Sequence, residues 1–336
     1  MQNKTRYKKS SREDFLPYSP RGGRAAKQQY TLRTPTHIKQ RRRRLNVSAV
    51  VIILFVIALF AGHIIYNNPQ LLKRQFIISS EVPEDTSLTV TFLDVGQGNC
   101  VLAESDGHYM LIDGGDNSHS SFVVSYLQNK GIKKLDYVLV SHYDSDHLSG
   151  IIGVLYNYSV DMLLTPDYEG DTKTYNSYMK CITSQNIEPA HPAPGASFAL
   201  GNATFTVVCP DGYYYEEENN YSLGIRLTDD NNSFLILGDA MTKSETAMLK
   251  SGLDITADVY MVSHHGSSSS SSKKFLEAVN PQYAVISVGA DNDYGHPTEK
   301  ILSRLDELRI QVLRTDENGT ITAYSTKDGI QWKLEK

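Results

Sequence analysis

The chain has 336 residues, enough for one large domain or two small ones. Of its 33 Lys and Arg, 14 precede residue 45, against two of its 38 acids; the remainder carries 19 basic and 36 acidic residues, a net of about −17. That balance argues against a broad basic surface for duplex nucleic acid, and three cysteines (Cys100, Cys181, Cys209) at no metal-like spacing argue against a cysteine metal site or a disulfide framework.

Residues 1–44 show no apolar periodicity and end in Arg41-Arg42-Arg43-Arg44, as a disordered, solvated basic tail does. From Leu45 to Tyr66 there is no Lys, Arg, Asp or Glu, and Val50 to Phe60 is continuously apolar. Residues 45–66 are therefore expected to form one transmembrane anchor in the lipid bilayer. The arginines before it favour a cytoplasmic N-terminus and an extracytoplasmic C-terminal domain. A cleaved signal peptide would need a small-residue cleavage site, and no Ala-x-Ala pattern follows Phe60. Residues 67–87 read as a linker with a short apolar patch, Phe76-Ile77-Ile78, and 88–336 as the folded domain.

Within that domain Leu88 to Phe92 alternates as a half-buried strand does, and Tyr109 to Ile112 reads as another. Asn117 or Ser118 is placed to cap a helix running to about Lys130. Tyr137 to Val140 is an apolar run of strand length, and Leu148 to Leu155 the apolar start of a helix. Between them lies Ser141-His142-Tyr143-Asp144-Ser145-Asp146-His147. A strand is expected at Val160–Leu164 and a helix at Thr174–Gln185, then two strands after Pro189, Pro192 and Pro194. Tyr213 to Glu218 reads as an exposed loop, and Leu223–Leu227 with Phe234–Leu237 as a hairpin. Thr242–Ser251 is helical, Val259–Val262 a strand, and Ser267–Ser272 a flexible or capping run. A helix to Val279, a strand at Ala284–Ser287, a helix at Glu299–Leu308 and short C-terminal strands complete a layered mixture of α and β.

Four imidazole or carboxylate groups at one strand-to-helix corner must be paired, hydrated or bound to a cation if buried. Neutral imidazole and carboxylate are ordinary ligands of zinc and manganese. Asp239 and His264 likewise follow apolar strands, and strand ends can converge although distant in sequence. Such a set can hold two cations about 3.5–4 Å apart, suited to attack on phosphorus or a carbonyl.

His-x-Asp-x-Asp-His after an apolar strand resembles the metallo-β-lactamase superfamily signature, with Asp144 in place of its second His. That variant is similar to the hydrolase domain of ComEC-type DNA-internalisation competence proteins. The same resemblance is carried by Phe92–Gly98, Leu111–Gly115, Leu237-Gly238-Asp239, Ser263–Ser267 and Tyr294–Pro297, and it spans about Leu88 to Leu308. It implies an αββα sandwich and a metal-dependent hydrolase binding two divalent ions, Zn2+ or Mn2+. By the same resemblance Asp146, His147 and His264 bind one ion, His142 and Asp144 the other, and Asp239 bridges them.

Asn220-Tyr221-Ser222 stands where the superfamily usually supplies a further His, and Asn99 where ComEC-type sequences often carry Asp. The first site is thus poorer in nitrogen, which tilts it toward manganese. His265 and His296 are candidates to protonate a leaving oxygen or hold a substrate phosphate, or to pack as neighbours of the ligands. Asp94, Asp113 and Asp116 are candidates to orient ligands or to form turns. The resemblance implies a phosphodiester substrate, DNA first. A cell-surface phosphodiester such as teichoic acid or its choline phosphate is the rival substrate, and a non-catalytic binding module the rival class.

Overall fold

The computed structural model describes residues 51–53, 55–56, 59–60 and 76–336. The expected basic tail lies outside these residues, as does most of the expected anchor. The described parts of the anchor, 51–53, 55–56 and 59–60, are helical. No helix among the described residues is long and apolar enough to cross a membrane. Residues up to 62 and from 63 onward are separate units. Within the second, the described residues begin at 76.

Its strands are β1 (Ile77–Ile78), β2 (Leu88–Phe92), β3 (Val101–Ser105), β4 (His108–Ile112), β5 (Lys134–Leu139), β6 (Ser159–Leu164), β7 (Pro189–Ala190) and β8 (Ser197–Leu200). They continue with β9 (Ala203–Cys209), β10 (Gly224–Thr228), β11 (Ser233–Ile236), β12 (Val259–Met261), β13 (Tyr283–Ile286), β14 (Gln311–Arg314), β15 (Ile321–Thr326) and β16 (Gly329–Leu334). One sheet has the order β1-β16-β15-β2-β3-β4-β5-β6-β7, the other β14-β13-β12-β11-β10-β9-β8. Strands β4 to β7 run parallel, as do β11 to β14.

Apolar patterning stacks these sheets. Leu88, Val90 and Phe92 point inward from β2 to meet Phe205, Ile225 and Phe234 of the other sheet in a central core. Helices α1 (Ser120–Asn129), α2 (Ser145–Asn157) and α3 (Lys173–Gln185) cover the outer face of the first sheet with a second core. Helices α4 (Thr242–Ser251), α5 (Lys273–Val279) and α6 (Glu299–Glu307) do so for the other sheet. The result is helix, sheet, sheet, helix, as expected. Strand β11 is buried on both faces, which is why it reads as an unbroken apolar run.

Two local expectations change, and a third is narrowed to one of its alternatives. The patch at Phe76–Ile78, expected within a linker, adds edge strand β1 parallel to β16, with Ile78 opposite Trp332. Neither Asn117 nor Ser118 caps α1: its N-cap residue is His119, which makes no side-chain cap bond. Asp116 Oδ1 instead accepts the backbone N–H of Ser118 (3.0 Å) and His119 (3.2 Å). The serine run takes the capping alternative, Ser270 Oγ donating to the Ser263 carbonyl at 2.7 Å and Ser272 Oγ capping α5 by accepting Phe275 N–H.

Candidate metal centre

The chain leaves β5 at Leu139 and enters α2 at Ser145, so the motif between them lies at the carboxyl end of a parallel strand. Asp113, just past β4, organises this corner. Its carboxylate accepts Ser141 N–H and Ser141 Oγ–H, each at 2.7 Å, and lies 2.8 Å from His147 Nδ1. A proton on Nδ1 facing Asp113 leaves His147 Nε2 free to act as a ligand. Ser141 Oγ also lies 3.0 Å from His142 Nδ1, and His142 Nε2 is buried with no hydrogen-bond partner. Asp144 is the N-cap residue of α2 but makes no cap bond, so its carboxylate is left to lie 3.6 Å from His142 Nε2. Asp146 sits in the first turn of α2, where the helix dipole favours negative charge.

Asp239 follows β11 and is held by its backbone N–H on Ser222 Oγ at 3.1 Å. Its carboxylate oxygens lie 3.3 Å from His147 Nε2, 3.6 Å from His265 Nε2, 3.8 Å from His264 Nε2 and 4.0 Å from His142 Nε2. Asp239 Oδ1 is buried and makes no hydrogen bond. Past β12, His264 and His265 both adopt left-handed backbone, φ 54° and 53°. His265 Nδ1 lies 2.8 Å from the Ser287 carbonyl, which directs Nε2 to within 3.4 Å of Asp146 and 3.3 Å of His147 Nε2. His264 points elsewhere, with Nδ1 3.1 Å from Ser269 Oγ and Nε2 3.3 Å from Asn219 Nδ2.

Two sets of ligand-type atoms converge: His142, His147 and Asp239, and Asp146, His147 and His265. The second differs from the expected set in one residue, because His265 rather than His264 meets Asp146 and His147. His264 keeps a place beside Asp239. Of the three candidate orienting aspartates, only Asp113 reaches the cluster. Asp94 accepts Gly96 N–H at 3.3 Å and pairs with Lys336 at 3.2 Å, and Asp116 closes its own turn. Sequence reasoning missed Ser141, Ser222 and Ser287. Ser141 adjoins the motif and Ser222 ends the Asn220-Tyr221-Ser222 stretch that the resemblance singles out, but nothing local marks Ser287.

The electrostatics follow from this packing. Burial works against charge on Asp239, but His147, His265 and His142 outweigh it and hold the carboxyl well below its usual range. Burial opposes ionisation of Asp146 too, and His147 and His265 again prevail. Burial likewise opposes charge on His147, yet Asp239, Asp113 and Asp146 push it well above its ordinary value. Burial, reinforced by His264 and His265, pulls His296 down to about 4, and its buried Nδ1 has no partner. The cluster therefore demands positive charge. An orphaned imidazole nitrogen and carboxylate oxygen within a mixed N/O donor set fit a divalent cation.

The cluster opens into a cavity of about 70 Å³ lined by Gln97, Asp144, Asp146, Asp239, His264, His265, Tyr294 and His296. A larger one, about 470 Å³, lies on the outer face of the first sheet among Thr89, Thr91, Phe122, Thr322 and Tyr324, away from these groups.

Residues 93–290 match the family described as the Metallo-beta-lactamase superfamily. The chain is 28% identical over 250 residues to ComE operon protein 3 of Bacillus subtilis, covering 69% of this chain and 32% of that protein. It is also 28% identical over 331 residues to competence protein ComA of Neisseria gonorrhoeae, covering 94% and 45%. The chain thus spans less than half the length of these relatives. Among solved structures, the metallo-beta-lactamase fold protein YhfI of Bacillus subtilis aligns with a TM-score of 0.45 at 14% identity, over 68% of this chain and 95% of that one.

Proposed function

From the premise that the chain belongs to the metallo-beta-lactamase superfamily, we propose that it is a metal-dependent phosphodiesterase acting on DNA, anchored in the membrane by residues 45–66 with its folded domain outside the cytoplasm. The observation that carries this reading is Asp239, a buried carboxylate with an unpartnered oxygen and four imidazole nitrogens within 4.0 Å. The competence proteins among its relatives support DNA as substrate.

His142, Asp144 and Asp239 would hold one divalent ion, Zn2+ or Mn2+, and Asp146, His147, His265 and Asp239 a second. A bound pair of such ions supplies charge stabilisation for a phosphoryl transition state and lowers the pKa of water toward neutrality. Asp239, shared by both sets, would tie the two sites together. Asp113 and the Ser287 carbonyl fix which nitrogen of His147 and His265 faces the cavity. Asp146, ionised at neutral pH, would orient an attacking water beside the second ion, while a carboxyl held so far below its usual range is a weak proton acceptor. His296, neutral at that pH, offers an N–H to a phosphate oxygen and is unsuited to proton donation from an imidazolium.

The net charge of about −17 beyond residue 44 favours a second reading, a cell-surface phosphodiester that is less repelled than duplex DNA. The purified protein, reconstituted with Mn2+ or Zn2+, should bind about two ions per chain and hydrolyse single-stranded DNA or bis-nitrophenyl phosphate but not a lactam. Asp239→Asn should remove most of that hydrolysis and weaken metal-dependent thermal stabilisation. Binding below about one ion per chain would sink the enzyme reading. Protease added to intact spheroplasts should digest the domain after Asn67 and spare the basic tail.

A further inference from the structure

One wall of the cavity carries no ligand chemistry. Tyr294 lines it beside His296, yet the residue is 69% exposed. Its position is set by the backbone. Asn292 Oδ1 accepts the N–H of Tyr294 at 3.2 Å and of His296 at 3.1 Å, and Asn292 Nδ2 donates to the carbonyls of Gly289 and His296 at 3.0 and 2.6 Å. Gly295, at φ 67°, turns the chain between the two rings, which stack at 5.8 Å and 22°. An aromatic face is thereby presented to solvent at the rim of the cavity by a cross-braced loop.

Charge says what such a face is for. Nucleic-acid affinity ordinarily comes from cations neutralising phosphates, and this chain has 19 basic against 36 acidic residues beyond position 44. Away from the two ions, binding must then draw largely on uncharged contacts. Base-on-aromatic stacking is one such contact, and it tolerates any sequence because every base has a π-face.

We propose that Tyr294 is a positioning residue that stacks on an unpaired nucleobase beside the scissile phosphodiester, making single-stranded nucleic acid the substrate class. Bases in a duplex are covered on both faces and would first have to be unstacked. The inference rests on the phosphodiesterase reading above.

The test compares, with the full chain and Mn2+, hydrolysis of a single-stranded oligonucleotide and of an abasic strand of equal length. The parent should prefer the base-bearing strand in kcat/KM. Tyr294→Ala should raise KM for it about tenfold, the scale of one stacked base, with a smaller change in kcat. The preference over the abasic strand should collapse, and Tyr294→Trp should restore it. If Tyr294→Ala keeps the parent's preference, or raises KM equally on both strands, the stacking role falls while the phosphodiesterase reading stands. A parent that hydrolyses neither strand overturns that reading and this inference with it.

Discussion

At His264 and His265 two consecutive imidazoles take left-handed backbone, which costs non-glycine residues about 1–3 kcal/mol each. The strain turns neighbouring rings to different partners, Ser269 for one and the Ser287 carbonyl for the other. In a calorimetric Mn2+ titration, His265→Ala should lose at least the roughly 10–100-fold in affinity that removing a ligand's hydrogen-bond partner costs, and His264→Ala clearly less. Equal losses would count against His265 as the imidazole that meets the ion. Protonation supplies a second prediction at this scale. Asp239 and Asp146 are depressed, so their stabilising contribution is present above the ordinary carboxylate value of 3.8 and is lost as pH falls below it. His147 and His265 are raised, so theirs is full below 6.5 and is lost as pH rises through their elevated values. A cation must displace those imidazole protons. Its stabilisation should therefore grow with pH, and the Tm gain from Mn2+ should be larger at pH 8 than at pH 6.

Helix α2 brings two ligand candidates to the cavity, and its start is fastened by backbone contact. Gly114 N–H donates to the His147 carbonyl at 2.7 Å, and Gly150 N–H to the Gly115 carbonyl at 3.1 Å. A Cβ on Gly150 would lie 1.8 Å from the Gly114 carbonyl oxygen, so any side chain forces helix and loop apart. Gly150→Ala should cost about 3 kcal/mol or more and weaken metal binding by displacing Asp146 and His147. Gly107→Ala is the control: it meets open space at φ 77°, so only backbone strain of about 1 kcal/mol is expected. Comparable Tm shifts for the two variants would show that the close approach does not govern the helix.

At the scale of the whole molecule, three apolar layers bury the thiols along with the core. Cys100, Cys181 and Cys209 are all free and buried. Burial pushes Cys209 up to about 12, and because the thiolate is the reactive form, almost none is available at pH 8. A thiol reagent at that pH should label none of the three in the native protein and all three after unfolding. Rapid labelling of the folded protein would contradict this packing.

Alternation in Leu88–Phe92, the apolar run of Tyr137–Val140 and the helical stretch of Thr174–Gln185 were legible in the sequence because each is a local pattern, a side chain choosing water or core within one element. The His142–His147 corner was legible for the same reason, since four ligand-type residues share one loop. The edge strand at Ile77–Ile78 was not, because its partner lies more than 250 residues away in β16. The choice between His264 and His265 was not legible either. It depends on which of two left-handed residues reaches the carbonyl of Ser287, at the end of another strand. Asp239 could be named a ligand candidate from its place after an apolar run. Its standing among four imidazoles comes from two sheets stacked so that the carboxyl ends of β5, β11 and β12 share one edge, and such distances between strands are set only when the cores pack.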